Sequence, residues 1–294
     1  MSHHYVNQLI HIVWSTHNQQ QIIPKHIIAD LYAYISAILK AKNGKVFAIS
    51  GPSDHIHLCT LLPPDISLST LIGHVKACSS KWIKSKENID PNFSWQNGYL
   101  AISTQEDRLD GVCSYIRSEE TRHQTKSYAG ELLLMLKQQK IEINEKYYLQ
   151  NSHSRIYVHA IWSTNNRIPY LKKEIRLLMY EQMKEVINSS RGFVHAIGGV
   201  EDHVHVFMEM PKNIPLSDLI RDVKTKVTHW LKENDKARCR DFEWQAGYGA
   251  FTMSQSSVEG VKRYIEKQED HHHKQTPEEK WNEFLKKCGY LIPR

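Results

Sequence analysis

The chain has 294 residues, of which 40% are apolar and 24% are charged, a composition typical of a soluble protein with room for two domains. No segment approaches the roughly 18 uninterrupted apolar residues of a membrane span, and we expect no secretory signal at the start. The net charge of +6 permits a polyanionic partner without identifying one. Five scattered cysteines without CxxC spacing favour reduced thiols and a cytoplasmic protein.

Apolar periodicity predicts the same order of elements twice along the chain. Each half begins with a strand, continues with an amphipathic helix, two strands and a second helix, and ends with a strand and a helix that carries a tyrosine. In the first half the predicted elements before that last helix are residues 6–15, 25–42, 46–50, 55–62, 67–85 and 99–104. In the second half they are residues 156–163, 172–190, 194–197, 203–210, 217–233 and 248–254. This order predicts an α+β fold of two tandem ferredoxin-like domains, with helices on one face of an antiparallel sheet.

The two halves also repeat at the level of individual residues. His159 lies 148 residues after His11, and at this offset residues 55–82 and 203–230 share 11 identities in 28 positions. A long period with two copies indicates duplication of a whole domain. We therefore predict a first domain at 1–143, a linker at 144–154 and a second domain at 155–294.

A pair of histidines recurs on the third predicted strand of each half, which is a central strand of the predicted sheet. His55 and His57 return as His203 and His205. Alternate residues of a strand point to the same face, so each pair projects together and could chelate one divalent ion. One such pair among 18 histidines is often a coincidence, but its recurrence after duplication favours a metal site.

The last predicted helix of each half carries a polar stripe. Tyr115, Glu119 and His123 are spaced i, i+4 and i+8, and Tyr264, Gln268 and His272 repeat this spacing. A helical tyrosine usually only packs. Here an oxygen ligand lies one turn from a phenol, which suits a two-histidine metal site with an attacking tyrosine.

These motifs, together with the Trp-Gln-x-Gly-Tyr segments at 95–99 and 244–248, resemble those of the single-tyrosine HUH transposases of the smallest bacterial insertion sequences. The related REP-associated tyrosine transposases are similar. The resemblance implies a metal-dependent tyrosine transposase that cleaves and rejoins single-stranded DNA near hairpins through a 5′-phosphotyrosine intermediate.

Carried over by position, the resemblance implies a role for each matching residue. The catalytic tyrosines would be Tyr115 and Tyr264. The metal ligands would be His55, His57, Glu119, His203, His205 and Gln268. Glu119 stands where the family usually has glutamine. Two imidazoles and one oxygen leave open positions, which favours Mg²⁺ or Mn²⁺, and no organic cofactor is expected.

The resemblance leaves the pairing of tyrosine and histidines open. Family members are usually homodimers in which the tyrosine helix docks on the partner's histidine strand. This chain, expected to be a monomer acting as an intramolecular pseudo-dimer, would then join His55 and His57 to Tyr264. Pairing within each repeat is the alternative.

DNA contacts are expected beside these sites. The shared Lys76 and Lys224 would bind the phosphate backbone, and His123 and His272 would extend that surface. A lysine on a helix face is more often simply solvated. Trp95 and Trp244 are expected to pack in the core rather than stack on bases.

Two other functions remain compatible with the sequence. One is a non-catalytic hairpin-DNA-binding descendant, and the other is a metal-dependent nuclease that forms no covalent link. We expect the protein in the bacterial cytosol, associated with the nucleoid and with no membrane contact.

Overall fold

The computed structural model describes residues 5–87, 89–118, 127–144 and 147–267. Four residues of the predicted sites, Glu119, His123, Gln268 and His272, lie outside these ranges. No helix in the described ranges has the length and hydrophobicity needed to span a membrane.

The strands are mostly short and lie close to the predicted segments. In chain order they are β1 (Tyr5–Asn7), β2 (Leu9–Ser15), β3 (Lys45–Ser50), β4 (His55–Leu61), β5 (Tyr99–Ser103), β6 (Ser152–Arg155), β7 (Tyr157–Ser163), β8 (Phe193–Val200), β9 (His203–Glu209) and β10 (Gly249–Met253).

The helices of the described ranges also follow the predicted order, with two additions, one after the first tyrosine helix and a short one before β10. They are α1 (Ile28–Ala41), α2 (Leu68–Lys84), α3 (Leu109–Arg117), α4 (Tyr128–Gln138), α5 (Lys173–Ser189), α6 (Leu216–Asn234), α7 (Lys236–Cys239) and α8 (Val258–Glu266). Helices α2 and α4 begin after serine caps, because the Oγ atoms of Ser67 and Ser127 accept bonds from the backbone N–H groups of Thr70 and Gly130.

The chain forms two compact units, each built mainly from one repeat. The first-repeat unit contains Leu9–Thr104 and Arg108–Ile156. The second-repeat unit contains Met1–Gln8, Gln105–Asp107 and Tyr157–Arg294. Each has a five-stranded sheet, in the orders β3-β4-β2-β5-β6 and β8-β9-β7-β10-β1. The predicted α+β fold of two tandem ferredoxin-like domains is confirmed, but each sheet is mixed rather than wholly antiparallel, because its edge strand β6 or β1 pairs in parallel.

Each sheet takes its fifth strand from the other repeat's leading segment. The predicted opening strand at 6–15 is in fact two strands, because β1 pairs in parallel with β10 whereas β2 pairs with β4 and β5. In the same way β6 pairs in parallel with β5, while β7 pairs with β9 and β10. Residues 152–155, at the predicted linker, are thus part of the first-repeat sheet.

Both faces of the histidine strand β4 are buried. Ile56 and Leu58 point to one face and are at most 1% exposed. On the other face, which carries His55 and His57, Cys59 packs against Cys113 and Ile116 of α3. Helix α4 covers Val13 and Leu100 on the neighbouring strands. The tyrosine helix therefore lies on the same face of the sheet as the histidines.

Glycine shapes the turn that leads into each histidine strand. A Cβ atom on Gly51 would lie 2.1 Å from the carbonyl oxygen of His55, and one on Gly199 would lie 2.2 Å from that of His203. Gly199 also has φ +158, at the border of the conformations that favour glycine. Only glycine lets the turn pass this close to the first histidine of each pair.

Candidate functional site

In the first repeat, the Nδ1 atoms of both histidines of the pair lie within hydrogen-bonding distance of neighbouring side chains. His55 Nδ1 lies 2.6 Å from Asp54 Oδ1, and His57 Nδ1 lies 3.0 Å from His11 Nε2. A carboxylate only accepts, so His55 donates through Nδ1 and keeps a lone pair on Nε2. Carboxylate–histidine contacts of this kind orient histidines that bind metals.

The second repeat reproduces this arrangement. His203 Nδ1 lies 2.6 Å from Asp202 Oδ1, and His205 Nδ1 lies 3.0 Å from His159 Nε2. Burial lowers the pKa of His159 to about 3, so this ring is neutral and its Nε2 can accept the proton of His205 Nδ1. His205 then also keeps a lone pair on Nε2.

Asp202 is held in its charged form. Burial alone would raise its pKa, but hydrogen bonds from His203 and Arg167 outweigh that effect and lower the pKa to about 2. Arg167 Nε lies 2.9 Å from Asp202 Oδ2. The first repeat has Gln19 at the position of Arg167, so the two aspartates differ in their surroundings.

A third candidate ligand reaches the first histidine pair from α4. Oε2 of Glu131 lies 3.8 Å from His55 Nε2 and 3.4 Å from His57 Nε2. Ligand atoms about 2.0–2.2 Å from one ion stand roughly 3.0–3.5 Å apart, so the three atoms are close to a metal-binding spacing. The donor set of two imidazoles and one buried carboxylate suits a divalent ion.

Sequence reasoning missed Glu131, His11 and Asp54. Glu131 lies outside the polar stripe of the tyrosine helix, and nothing in its local pattern shows that α4 crosses the histidine face. His11 and Asp54 did carry a signal, because both recur 148 residues later as His159 and Asp202. The ligand expected from the tyrosine helix, Glu119, stays a prediction.

Each tyrosine lies beside the histidines of its own repeat. The ring centroid of Tyr115 is 6.1 Å from that of His57, and Tyr264 is 6.0 Å from His205. The Tyr115 hydroxyl donates to Oε1 of Glu131. Of the two pairings left open by the sequence, the structure has the one within each repeat.

Lys76 and Lys224 bind backbone rather than facing solvent. Lys76 Nζ donates to the carbonyl oxygens of residues 96–98, and Lys224 Nζ lies 3.0 and 2.6 Å from those of Gln245 and Gly247. Burial lowers the pKa of both amines to about 8. The two lysines hold the loop before β5 and β10, and their role in binding DNA stays a prediction.

The tryptophan of the same loop is a packing residue in the first repeat. Trp95 is 7% exposed, and its Nε1 donates to Ser79 Oγ at 2.9 Å. Trp95 and Trp244 make edge contacts with Trp14 and Trp162, at 6.0 and 6.1 Å between ring centroids. This geometry agrees with the core packing expected from the sequence.

Two transposases are among the solved structures to which part of the chain is similar. One is described as a transposase from Deinococcus radiodurans, with 18% identity, a TM-score of 0.32, and coverage of 39% of this chain and 91% of that protein. The other is a REP-associated tyrosine transposase bound to a REP hairpin, with 15% identity, a TM-score of 0.33, and coverage of 40% and 68%. No curated protein matches the chain.

The family described as Transposase IS200 like matches the chain twice, at residues 4–119 and 152–268. The two matches coincide with the two repeats, and each spans a histidine pair and the tyrosine that lies beside it. The chain therefore belongs to the IS200-like transposase family and carries two tandem copies of the family's domain.

Proposed function

We propose that this transposase cleaves and rejoins single-stranded DNA near hairpins through a 5′-phosphotyrosine intermediate. The observation that carries the proposal is the recurrence, in both repeats, of a tyrosine about 6 Å from a histidine whose Nδ1 is already engaged. Tyr115 and Tyr264 are the proposed nucleophiles.

In the proposed reaction the tyrosine Oη attacks the phosphorus of the scissile phosphodiester. The P–O3′ bond breaks, the phosphorus stays bonded to the tyrosine oxygen and to the 5′ oxygen of the downstream fragment, and the departing 3′ oxygen takes up the proton that the phenol loses. A 3′-hydroxyl later attacks the phosphotyrosine, which re-forms a P–O3′ bond and returns the proton to the phenol. One phosphodiester replaces another, so the reaction needs no nucleotide hydrolysis.

The residues around each histidine pair fit a divalent metal ion. His55, His57 and Glu131 would hold it in the first repeat, and His203 and His205 would supply two ligands in the second. When bound, Mg²⁺ or Mn²⁺ would provide positive charge beside the phosphate oxygens. Asp54 and Asp202 fix the first ring of each pair, and His11 and His159 fix the second.

The proposed partner is hairpin-forming single-stranded DNA, bound in the bacterial cytoplasm at the nucleoid. One chain carries two centres, so we propose that a monomer acts as an intramolecular pseudo-dimer. Glu119 and Gln268, which follow the tyrosine helices in the sequence, are also proposed ligands. Lys76, Lys224, His123 and His272 are proposed DNA contacts.

The test is a denaturing gel of purified protein with labelled hairpin DNA taken from the sequence flanking its gene. Wild type, Tyr115→Phe, Tyr264→Phe and the double variant would be compared in Mn²⁺, Mg²⁺ and EDTA. We expect a metal-dependent covalent band that survives SDS and is absent from the double variant.

Two other outcomes would reject this proposal in favour of the alternatives. Binding without cleavage or adduct would favour a hairpin-binding protein. Cleavage that persists in the double variant would indicate a nuclease that uses no tyrosine intermediate.

A further inference from the structure

Helix α4 covers the histidine pair of the first-repeat unit. His55 and His57 are both 0% exposed, although histidines that act on a DNA phosphate must be reached by it. The ring of Tyr128, the first residue of α4, lies 4.9 Å from that of His55. Glu131, one turn later, approaches the Nε2 atoms of both histidines. Two side chains of α4 thus contribute to the cover over the histidine pair.

The two oxygens of Glu131 contact both parts of the proposed centre. Oε1 accepts the hydroxyl of Tyr115, and Oε2 faces the histidine Nε2 atoms. A phosphate undergoing attack would have to lie between the tyrosine Oη and the histidine side of the site. In this arrangement a carboxylate lies in that space, and its negative charge would repel a phosphate.

We propose that α4 closes the first centre in the resting protein and that Glu131 is the residue that holds Tyr115 in the closed state. The inference rests on the proposed function, since it assigns to the first centre a state that DNA must open. Opening moves Glu131 away from Tyr115 and frees the phenol for attack, so Glu131 would be a ligand of the closed centre and the open centre would keep His55, His57 and the proposed ligand Glu119.

The way α4 is held allows it to open as a unit. Its inner face packs through Leu132, Met135 and Leu136 on Val13 and Leu100, and this contact is apolar. The Tyr148 hydroxyl also donates to the Ala129 carbonyl oxygen of α4 at 3.4 Å. Apolar packing is non-directional, so the helix can leave by breaking this bond and the contacts of Glu131, without breaking a β-ladder. Leu134, on the outer face of α4, is 47% exposed and takes no part in that packing.

The second repeat has a different residue at the position that aligns with Glu131. Tyr264 lies 149 residues after Tyr115, and at this offset Lys280 stands where the first repeat has Glu131. The apolar residues that follow are retained in type, with Trp281, Phe284 and Leu285 for Leu132, Met135 and Leu136. An ammonium group cannot accept a hydroxyl proton or ligate a metal as a carboxylate does. The two centres are therefore not equivalent, and the closure that depends on a carboxylate of α4 is a feature of the first.

The test isolates the first centre in the full chain by His203→Ala and His205→Ala. This parent is loaded with Mn²⁺ and mixed with excess EDTA, and the rate of Mn²⁺ release is followed. We expect Leu136→Ala, which weakens the packing of α4, to speed release at least tenfold. Leu134→Ala, the same change on the exposed face of the same helix, should leave the rate within twofold of the parent.

A variant that leaves the core intact and a measurement of adduct formation are added to this test. Ser127→Ala removes the cap of α4 without touching the core and should speed release several-fold. In the same background, the initial rate of covalent adduct formation at Tyr115 should rise with Leu136→Ala. Equal release rates for Leu136→Ala, Ser127→Ala and Leu134→Ala would overturn the closure but not the proposed function. A parent that binds no Mn²⁺ would overturn both.

Discussion

At the scale of single residues, the first centre differs from what the tyrosine-helix motif alone implies. Glu119 occupies the motif position, yet Glu131 is the acid whose oxygen lies 3.4 Å from His57 Nε2. If Glu131 is the ligand, replacing it should weaken metal binding most. If Glu119 is the ligand, as the motif implies, replacing Glu119 should have the larger effect. The second repeat has no such pair of carboxylates, because Gln268 is at the motif position and Lys280 aligns with Glu131.

We expect Glu131→Gln to weaken Mn²⁺ binding at the first centre at least tenfold, because it removes a charged ligand next to both Nε2 atoms. Mn²⁺ titration followed by electron paramagnetic resonance, in the His203→Ala and His205→Ala background, measures this. Glu119→Gln is the matched control and should change the affinity less. The reverse order of the two effects would identify Glu119 as the ligand of the resting site.

The lowered pKa of Lys224 predicts how the stability of the folded protein depends on pH. Burial lowers its pKa in the folded protein to about 8, while the unfolded chain keeps the ordinary value of 10.5. Between these values the unfolded state binds more protons, so the stability should rise as pH increases from about 8 to 10.5. The gain is at most about 1.4 kcal/mol per pH unit.

The check is to measure the free energy of unfolding of wild type and Lys224→Met by urea denaturation across this pH range. The difference between the two proteins should move in favour of the wild type as pH rises. Parallel curves for the two proteins would show that the ammonium keeps its ordinary pKa in the loop.

At the scale of elements, the position of the second tyrosine depends on one close approach between a helix and a strand. A Cβ atom on Gly198 of β8 would lie 2.3 Å from the backbone oxygen of Ile265, the residue after Tyr264. Helix α8 can therefore pack here only because residue 198 has no side chain. The first repeat has Ser50 at the corresponding position.

Gly198→Ala should displace α8 and lower the rate of adduct formation at Tyr264 by about tenfold or more, since small misplacements of a nucleophile are costly. Gly260→Ala is the control, because a Cβ atom there meets nothing within 4 Å. That change should keep the rate and stabilise α8 by about 0.5–1 kcal/mol. Equal rates in the two variants would show that the approach at Gly198 does not position the tyrosine.

Much of the fold and part of the site were predictable from the sequence. Strand periodicity and the duplicated histidines place His55, His57, His203 and His205 correctly on one face of two inner strands. The contribution of Glu131 was not predictable, because it depends on where α4 packs across the sheet. The split of residues 6–15 into β1 and β2 was also missed, although the polar residues Asn7 and Gln8 interrupt the apolar run at the place where the chain changes sheet.

Across the molecule, each repeat contributes its leading strand to the sheet of the other repeat, so neither sheet is complete without residues of both repeats. β1 forms the edge of the second-repeat sheet, with Val6 in register with Ala250. The isolated second repeat would therefore lack its fifth strand and expose the edge of β10. An unpaired edge loses backbone hydrogen bonds and can pair with other chains.

Deleting residues 1–7 should therefore weaken the second-repeat sheet rather than the first. Hydrogen exchange of the intact and shortened proteins would be compared at residues 249–253 and at residues 99–103. We expect faster exchange at the former and no change at the latter, which keeps its pairing with β6. Faster exchange in β5 alone would contradict the strand order.

A tyrosine of each repeat is proposed to attack DNA beside the histidine pair of that repeat. This attack is tested most directly by digesting the covalent protein–DNA product with trypsin and locating the attached nucleotide by mass spectrometry. We predict a 5′-phosphate linkage on Tyr264, and on Tyr115 when α4 is loosened by Leu136→Ala, with each linkage lost when that repeat's own histidines are changed to alanine. A linkage on any other residue would show that these tyrosines are not the nucleophiles. Loss of the Tyr264 linkage on changing His55 and His57, but not on changing His203 and His205, would show that the tyrosine acts with the histidines of the other repeat.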